Sequence, residues 1–143
     1  MKAIRHFGIV TGNMKDSLHF YKDLLGLKIK REMHEEGEPI SKVSNLEGVE
    51  IWTIKMAADN GDVLVELLEY ANYWGKHRED YKIYDYGASH IAFTVENLDK
   101  EYERLSKEGV KFNSDPTVSI DGKVKVCHCF DPNGVFIELV EEL

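Results

Sequence analysis

The sequence predicts an α+β fold made of two tandem copies of one β-α-β-β-β module, and three observations lead to this prediction. The chain has 143 residues, 43% of them hydrophobic, which suits one domain with its own core. Short apolar runs typical of strands alternate with segments of helical periodicity. The pattern also occurs twice, because His6-Phe7-Gly8-Ile9-Val10 is matched 84 residues later by His90-Ile91-Ala92-Phe93-Thr94.

The later part of each module repeats as well. Asp59-Asn60-Gly61 and the strand-like residues 63–69 parallel Asp131-Pro132-Asn133-Gly134 and residues 135–141. The spacing differs between the two repeats because the first module is longer in its middle. Residues 33–48, rich in Glu, Ser and Gly, are therefore predicted to be additional material in that module.

These repeats account for the whole chain. We predict a single domain over residues 1–143, with module 1 at about 1–72 and module 2 at about 86–143. A connecting segment is expected near residues 71–87.

Within each module the elements follow in the same order. After the opening strand, Asn13 and Asn97 are predicted helix N-caps, because a short amide side chain can accept from free backbone N–H groups. The helices end at Gly26 and Gly109, where a left-handed residue is favoured. Three strands follow the helix in each module, predicted at residues 27–30, 49–56, 63–70, 110–112, 123–130 and 135–142.

Four polar residues interrupt this apolar pattern at matching positions. Glu66 and Glu138 each lie inside an otherwise apolar strand, and a buried carboxylate needs a partner. His6 and His90 open equivalent strands, and strand alternation directs them away from the face that packs under the helix. If the modules pair about a pseudo-twofold axis, two imidazoles and two carboxylates converge, a donor set that suits zinc, nickel or iron.

Taken singly, each of these residues has a simpler interpretation. A lone histidine at a strand start is usually a core or edge residue, and a lone glutamate usually lies on a solvated strand face. Glu69 and Glu141 are assigned to such a solvated face. The metal prediction therefore depends on all four residues occurring in register.

Other candidates are weaker. His19, His34 and His77 are expected to be solvated. Cys127-His128-Cys129 is not predicted to be a metal clip, because alternation places His128 on the face opposite the two thiols, which are expected to be reduced. The sequence has no phosphate-loop, dinucleotide-binding or serine-hydrolase motif.

Composition excludes further classes of function. With 18 basic and 26 acidic residues the net charge is −8, which does not favour nucleic acid or an anionic membrane surface. No apolar run approaches the roughly 20 residues needed to cross a bilayer, and no signal-peptide core precedes the first strand. A cytoplasmic location is therefore expected.

The sequence resembles a known protein family. The duplicated module with His6, Glu66, His90 and Glu138 is similar to the vicinal oxygen chelate superfamily, particularly glyoxalase I, methylmalonyl-CoA epimerase and the extradiol dioxygenases. The resemblance implies a curved, cup-like eight-stranded mixed sheet with helices on the outside. It also implies a divalent ion (Zn, Ni, Co, Mn or Fe) at these four residues with two open positions, a small-molecule substrate, and a homodimer.

The ligand set indicates the reaction class within that family. Glu66 supplies a fourth ligand, as in the isomerases and epimerases, which implies proton transfer next to a carbonyl in a lactoylglutathione-lyase-like or methylmalonyl-CoA-epimerase-like lyase or isomerase. Glu138 or Glu66 would be the base, with Glu47 as an alternative. A non-heme iron dioxygenase and a non-catalytic drug-binding protein are the competing possibilities. Val10 stands where glyoxalase I has a glutathione-holding arginine, so the thiol is left open.

Overall fold

A computed structural model describes residues 1–77 and 81–143. The chain divides into two compact units, Met1–His77 and Arg78–Leu143, and each contains one four-stranded mixed sheet. The α+β class and the two tandem β-α-β-β-β modules are thus confirmed. Part of the predicted connecting segment, residues 78–80, lies outside the described residues.

The labelled elements of the first unit are β1 His6–Val10, α1 Met14–Leu18, β2 Lys28–Glu35, α2 Glu38–Ser44, β3 Ile51–Ala57 and β4 Leu64–Tyr70. The first helix continues as a π-helical segment over His19–Leu24. The strand order is β1-β4-β3-β2. β1 runs parallel to β4, and the other neighbours are antiparallel.

The elements of the second unit are β5 His90–Thr94, α3 Leu98–Lys107, β6 Thr117–Val118, β7 Val124–Phe130 and β8 Phe136–Glu142. This unit repeats the topology of the first, with strand order β5-β8-β7-β6. β5 runs parallel to β8, and the remaining pairs are antiparallel. In the described parts of both units, the helix that follows the first strand contacts the strand that carries the predicted glutamate.

Two strand predictions differ from the structure. β2 extends to Glu35, and the additional segment after it contains the short helix α2, with Pro39 in its first turn, where a proline is tolerated. Residues 110–112 are not a strand, because Phe112 makes only an isolated bridge to Cys129. The pairing with β7 resumes at Thr117–Val118, after Pro116, which has no N–H to donate.

The helix starts are held by two kinds of side chain. Asn13 accepts from the backbone N–H of Asp16 and Asn97 from that of Lys100, as predicted. Glu69 accepts from the N–H of Met14, and Glu141 from the N–H of Leu98 at 2.7 Å. The expectation that these two glutamates are simply solvated was therefore wrong, since a carboxylate satisfies and stabilises the free N–H groups of a helix N-terminus.

The helix C-termini also agree with the sequence. Gly26 and Gly109 have φ values of 79° and 85°, the left-handed region that a residue with Cβ rarely adopts. Each unit then buries an apolar core between its sheet and helix. The fully buried side chains include Met14, Tyr21, Ile54, Met56, Leu67, Leu98, Leu105, Cys127, Ile137 and Leu139.

No helix within residues 1–77 and 81–143 has the length and apolar character needed to cross a membrane.

Candidate metal centre

In the first unit, a histidine and a glutamate meet across the parallel strands β1 and β4. Glu66 pairs in register with Gly8, and His6, two residues earlier, projects from the same face of β1. The Nε2 atom of His6 lies 3.0 Å from Oε2 of Glu66. The alternation argument is confirmed here, because Ile9 on the opposite face is buried while His6, Gly8 and Val10 are exposed.

A lysine completes the surroundings of Glu66. Lys55 on β3 is its antiparallel partner, and the Lys55 ammonium lies 2.9 Å from Oε1 of Glu66. Glu66 is only 8% exposed, so its charge is compensated at close range within a largely buried setting. Both carboxylate oxygens of Glu66 therefore have a partner inside the first unit.

The second unit places its own pair in the same way. Glu138 on β8 is in register with Ala92, and His90 projects from the same face of β5 two residues earlier. Nε2 of His90 lies 2.9 Å from Oε2 of Glu138. The side chain of Glu138 is 22% exposed, against 11% for that of Glu66.

His128 on β7 is directly opposite Glu138, in the position that Lys55 occupies in the first unit. Its Nε2 lies 3.9 Å from Oε2 of Glu138, and its ring packs edge-on to that of His90 with centroids 5.7 Å apart. Ligand atoms of His90, His128 and Glu138 all lie within 4.8 Å of one another. The structure thus adds His128, which was not among the predicted site residues.

A signal for His128 was present in the sequence. Alternation correctly separates it from the buried thiols of Cys127 and Cys129, and the face opposite the thiols is the face of Glu138. His128 and Glu138 are also equidistant from Asn133 in the predicted turn, so a hairpin centred there pairs the two residues. The register of β7 and β8 pairs His128 with Glu138 in this way.

Glu47, the alternative base, lies elsewhere in the first unit. Its side chain is exposed, and its carbonyl accepts from the Tyr73 hydroxyl at 2.8 Å. The strand that follows begins at Ile51, which pairs with Tyr70, and Tyr70 is four residues, or roughly 13 Å, along β4 from Glu66. The described contacts therefore do not bring Glu47 to Glu66.

The remaining histidines and the thiols agree with expectation. His19 and His34 are 60% and 74% exposed at their side chains, and His77 is exposed. Burial raises the pKa of the Cys127 thiol to about 11 and that of Cys129 to about 12. Both cysteines are free and remain protonated at neutral pH.

The donor atoms fit a divalent first-row metal. Imidazole nitrogen and carboxylate oxygen are the ligands that zinc, nickel, cobalt and iron take in proteins. Two ligand atoms that are each about 2.1 Å from one ion stand roughly 3 to 4 Å apart, depending on the angle between them. The separations of 2.9 Å and 3.9 Å around Glu138 Oε2 fall in or next to that range.

Comparison with known proteins agrees with this architecture. The model of the glyoxalase/bleomycin resistance protein/dioxygenase superfamily matches residues 3–139. The uncharacterized protein YraH of Bacillus subtilis (strain 168) is 28% identical over 138 residues, 94% of each chain. The lactoylglutathione lyase of Neisseria meningitidis serogroup A is 24% identical and is matched over 96% of this chain and 88% of its own length.

A solved structure shares the fold. The glyoxalase family protein APC24694 from Bacillus cereus superposes with a TM-score of 0.89 at 23% identity, covering 100% of this chain and 95% of that one. The fold, the family match and the repeated His–Glu pairs all point to the same family. The chain belongs to the glyoxalase/bleomycin resistance protein/dioxygenase superfamily.

Proposed function

We propose that the protein is a metal-dependent lyase or isomerase that moves a proton next to a carbonyl in a small substrate held through two neighbouring oxygens. The observation that carries the proposal is the pair of His–Glu contacts, His6 with Glu66 and His90 with Glu138, at equivalent positions of the two modules. These four residues are the proposed metal ligands, and the family match supports them.

A divalent ion held there (Zn, Ni, Co, Mn or Fe) would supply Lewis-acid polarisation of the substrate carbonyl. The protein must then provide a group that takes the proton from carbon and returns it to the neighbouring carbon. Glu138 is the first choice for this base, because its side chain is the more exposed of the two and its partner is an imidazole. Glu66 is the second choice, since Lys55 and His6 hold both of its oxygens, and Glu47 is the third.

The proposed substrates are hemithioacetals or acyl thioesters, by analogy with lactoylglutathione lyase and methylmalonyl-CoA epimerase. Val10 is 58% exposed on the same face of β1 as His6 and offers no charge to a glutathione carboxylate. We therefore do not expect a preference for glutathione. The expected setting is a cytoplasmic homodimer without nucleic-acid or membrane partners.

Metal analysis followed by hydrogen–deuterium exchange tests the proposal. Purified protein is expected to contain close to one equivalent of a first-row metal per chain. In D₂O the metal-loaded protein should incorporate deuterium at the carbon next to the carbonyl of a hemithioacetal or an acyl-CoA, observed by NMR. Chelation should stop the exchange and metal should restore it. Absence of exchange with every such substrate by fully loaded protein would contradict the proposal.

The dioxygenase alternative is favoured by one specific observation. His90, His128 and Glu138 are two histidines and one carboxylate, the ligand set typical of non-heme iron oxygenases. Anaerobic loading with Fe²⁺ followed by oxygen uptake with catechols tests this function. Uptake that depends on iron and catechol would favour the dioxygenase, and its absence would remove it.

A further inference from the structure

We infer that His128 is a further ligand of the metal ion, so that the second module presents three ligands, His90, His128 and Glu138, to a divalent transition metal. The inference deepens the proposed function and rests on it for His90 and Glu138. It adds a residue that lies outside the four proposed ligands. All three side chains belong to one sheet, on the adjacent strands β5, β8 and β7.

The three donor atoms lie within 4.8 Å of one another on one face of this sheet. Oε2 of Glu138 lies 2.9 Å from Nε2 of His90 and 3.9 Å from Nε2 of His128. The two imidazole rings are nearly perpendicular, at 86°, with their centroids 5.7 Å apart. Both histidines therefore present the same nitrogen to the same carboxylate oxygen, which is the arrangement of ligands grouped on one side of an ion.

The strand that carries His128 holds the ring in place. The neighbouring side chains, Cys127 and Cys129, are 1% and 0% exposed on the opposite face, so β7 cannot rotate without exposing them. The backbone N–H of His128 donates to the Ser114 hydroxyl at 3.2 Å. The His128 side chain itself is only 22% exposed, which restricts its rotamers. A site on rigid strands needs little rearrangement to bind an ion.

The first module provides an internal comparison. The position that faces Glu66 is Lys55, whose ammonium lies 2.9 Å from the carboxylate. An ammonium has three donors and no lone pair, so it neutralises the glutamate and cannot bind a metal. The same place in the fold therefore carries a counter-ion in one module and a metal ligand in the other.

The chemistry of the set selects the ion. Two imidazoles and one carboxylate suit Fe²⁺, Co²⁺, Ni²⁺ or Zn²⁺, whereas Mg²⁺ and Ca²⁺ favour all-oxygen surroundings.

Titration of the chelator-treated full chain with Co²⁺, followed by calorimetry and by the visible absorption of the ion, tests the inference. Wild type is expected to bind one Co²⁺. His128→Ala and His128→Lys should weaken binding by at least the roughly 10- to 100-fold that loss of an outer-shell partner costs. His128→Lys copies the Lys55 arrangement, so it should keep the fold while removing one metal ligand.

A matched control is available in the first unit. His34 lies 3.9 Å from a carboxylate oxygen of Glu32, the same separation as His128 from Glu138, but His34 is 74% exposed and stacks on Trp52. His34→Ala should leave the Co²⁺ affinity unchanged. Circular dichroism in chelator confirms that each variant is folded.

A measurement on wild-type protein does not depend on any variant. One equivalent of Zn²⁺ should move the ring-nitrogen NMR signals of His90 and His128 while those of His34 stay in place. Unmoved His128 signals, or Co²⁺ affinities of His128→Ala and His128→Lys equal to wild type, would overturn the inference.

If His6→Ala weakens binding and His128→Ala does not, the inference fails and the proposed four-ligand set survives. If His128 binds metal but no proton exchange occurs, the inference stands and the proposed reaction fails.

Discussion

The two modules share one topology, but the surroundings of their central glutamates differ. Glu66 in the first module is 8% exposed and has an ammonium and an imidazole on its two oxygens. Glu138 in the second is more exposed, and in the described part of the chain only imidazoles face it as ion-pair partners. One change at an equivalent position, Lys55 against His128, accounts for the contrast.

The contrast indicates how the two copies of a duplicated module can acquire different roles. A buried carboxylate costs several kcal/mol unless it is compensated, and a lysine is one way to compensate it. Two imidazoles leave the carboxylate free to bind a cation from solution. On this interpretation the first module holds its glutamate in a fixed ion pair, whereas the second module leaves its glutamate facing two imidazoles. Replacing the residues at and around each glutamate tests that division.

Replacing the two glutamates should show which one is the base. Glu138→Gln is expected to lower the rate of substrate deuterium exchange by about 10²–10⁴-fold, the usual contribution of a general base. Glu66→Gln should lower it less, because Lys55 holds the carboxylate of Glu66. Exchange rates are measured by NMR at matched metal occupancy. A larger loss in Glu66→Gln would reverse the two roles.

Removing the residue that faces each glutamate should separate stability from metal binding. Lys55→Met leaves a largely buried carboxylate without its cation and is expected to lower the free energy of unfolding by about 1–3 kcal/mol in chelator. His128→Met should have a smaller effect on stability but a larger one on Co²⁺ affinity. Urea unfolding and calorimetry measure the two quantities. Equal stability losses in the two variants would show that the positions are equivalent after all.

The helix caps are a feature in which the modules agree. Glu69→Ala and Glu141→Ala should each lower stability by about 1 kcal/mol, because each removes a charged acceptor from a helix N-terminus. Glu103→Ala, at an exposed position of α3, is the control and should change stability by less than about 0.5 kcal/mol. If only one of the two variants lost stability, the asparagine cap (Asn13 or Asn97) would be sufficient in the module that lost none.

The thiols of the second module should give the smallest effect at neutral pH, because their contribution to stability changes only at alkaline pH. Their pKa values are raised by burial to about 11 and about 12, whereas unfolded thiols ionise near pH 8.5. The unfolded state therefore loses protons first, so the thiol contribution to stability is complete below about pH 8.5 and declines as the pH rises towards 11–12. Urea unfolding from pH 8 to 10.5 should show a smaller decline in Cys127→Ala/Cys129→Ala. An identical decline would contradict this origin.

The sequence was most informative about features that depend on interactions between residues close together in the chain. The helix caps at Asn13 and Asn97 and the left-handed glycines at 26 and 109 depend on neighbours along the chain, and they were predictable. The extent of β2 and the position of β6 were not, because strand ends are fixed by pairing partners on other strands. Glu69 and Glu141 were misassigned for the same reason, since the N–H groups that they accept from lie many residues away.

The duplicated module, the fold class and the matching positions of His6, Glu66, His90 and Glu138 were all predictable from the amino-acid order, because periodicity and repetition are properties of a single chain. The residue that faces each glutamate became known only from the folded strands. A cross-strand neighbour is set by register, and register follows from the packing of whole strands rather than from any short motif. Lys55 and His128 acquired their different roles at that level, and the chemistry proposed here depends on them.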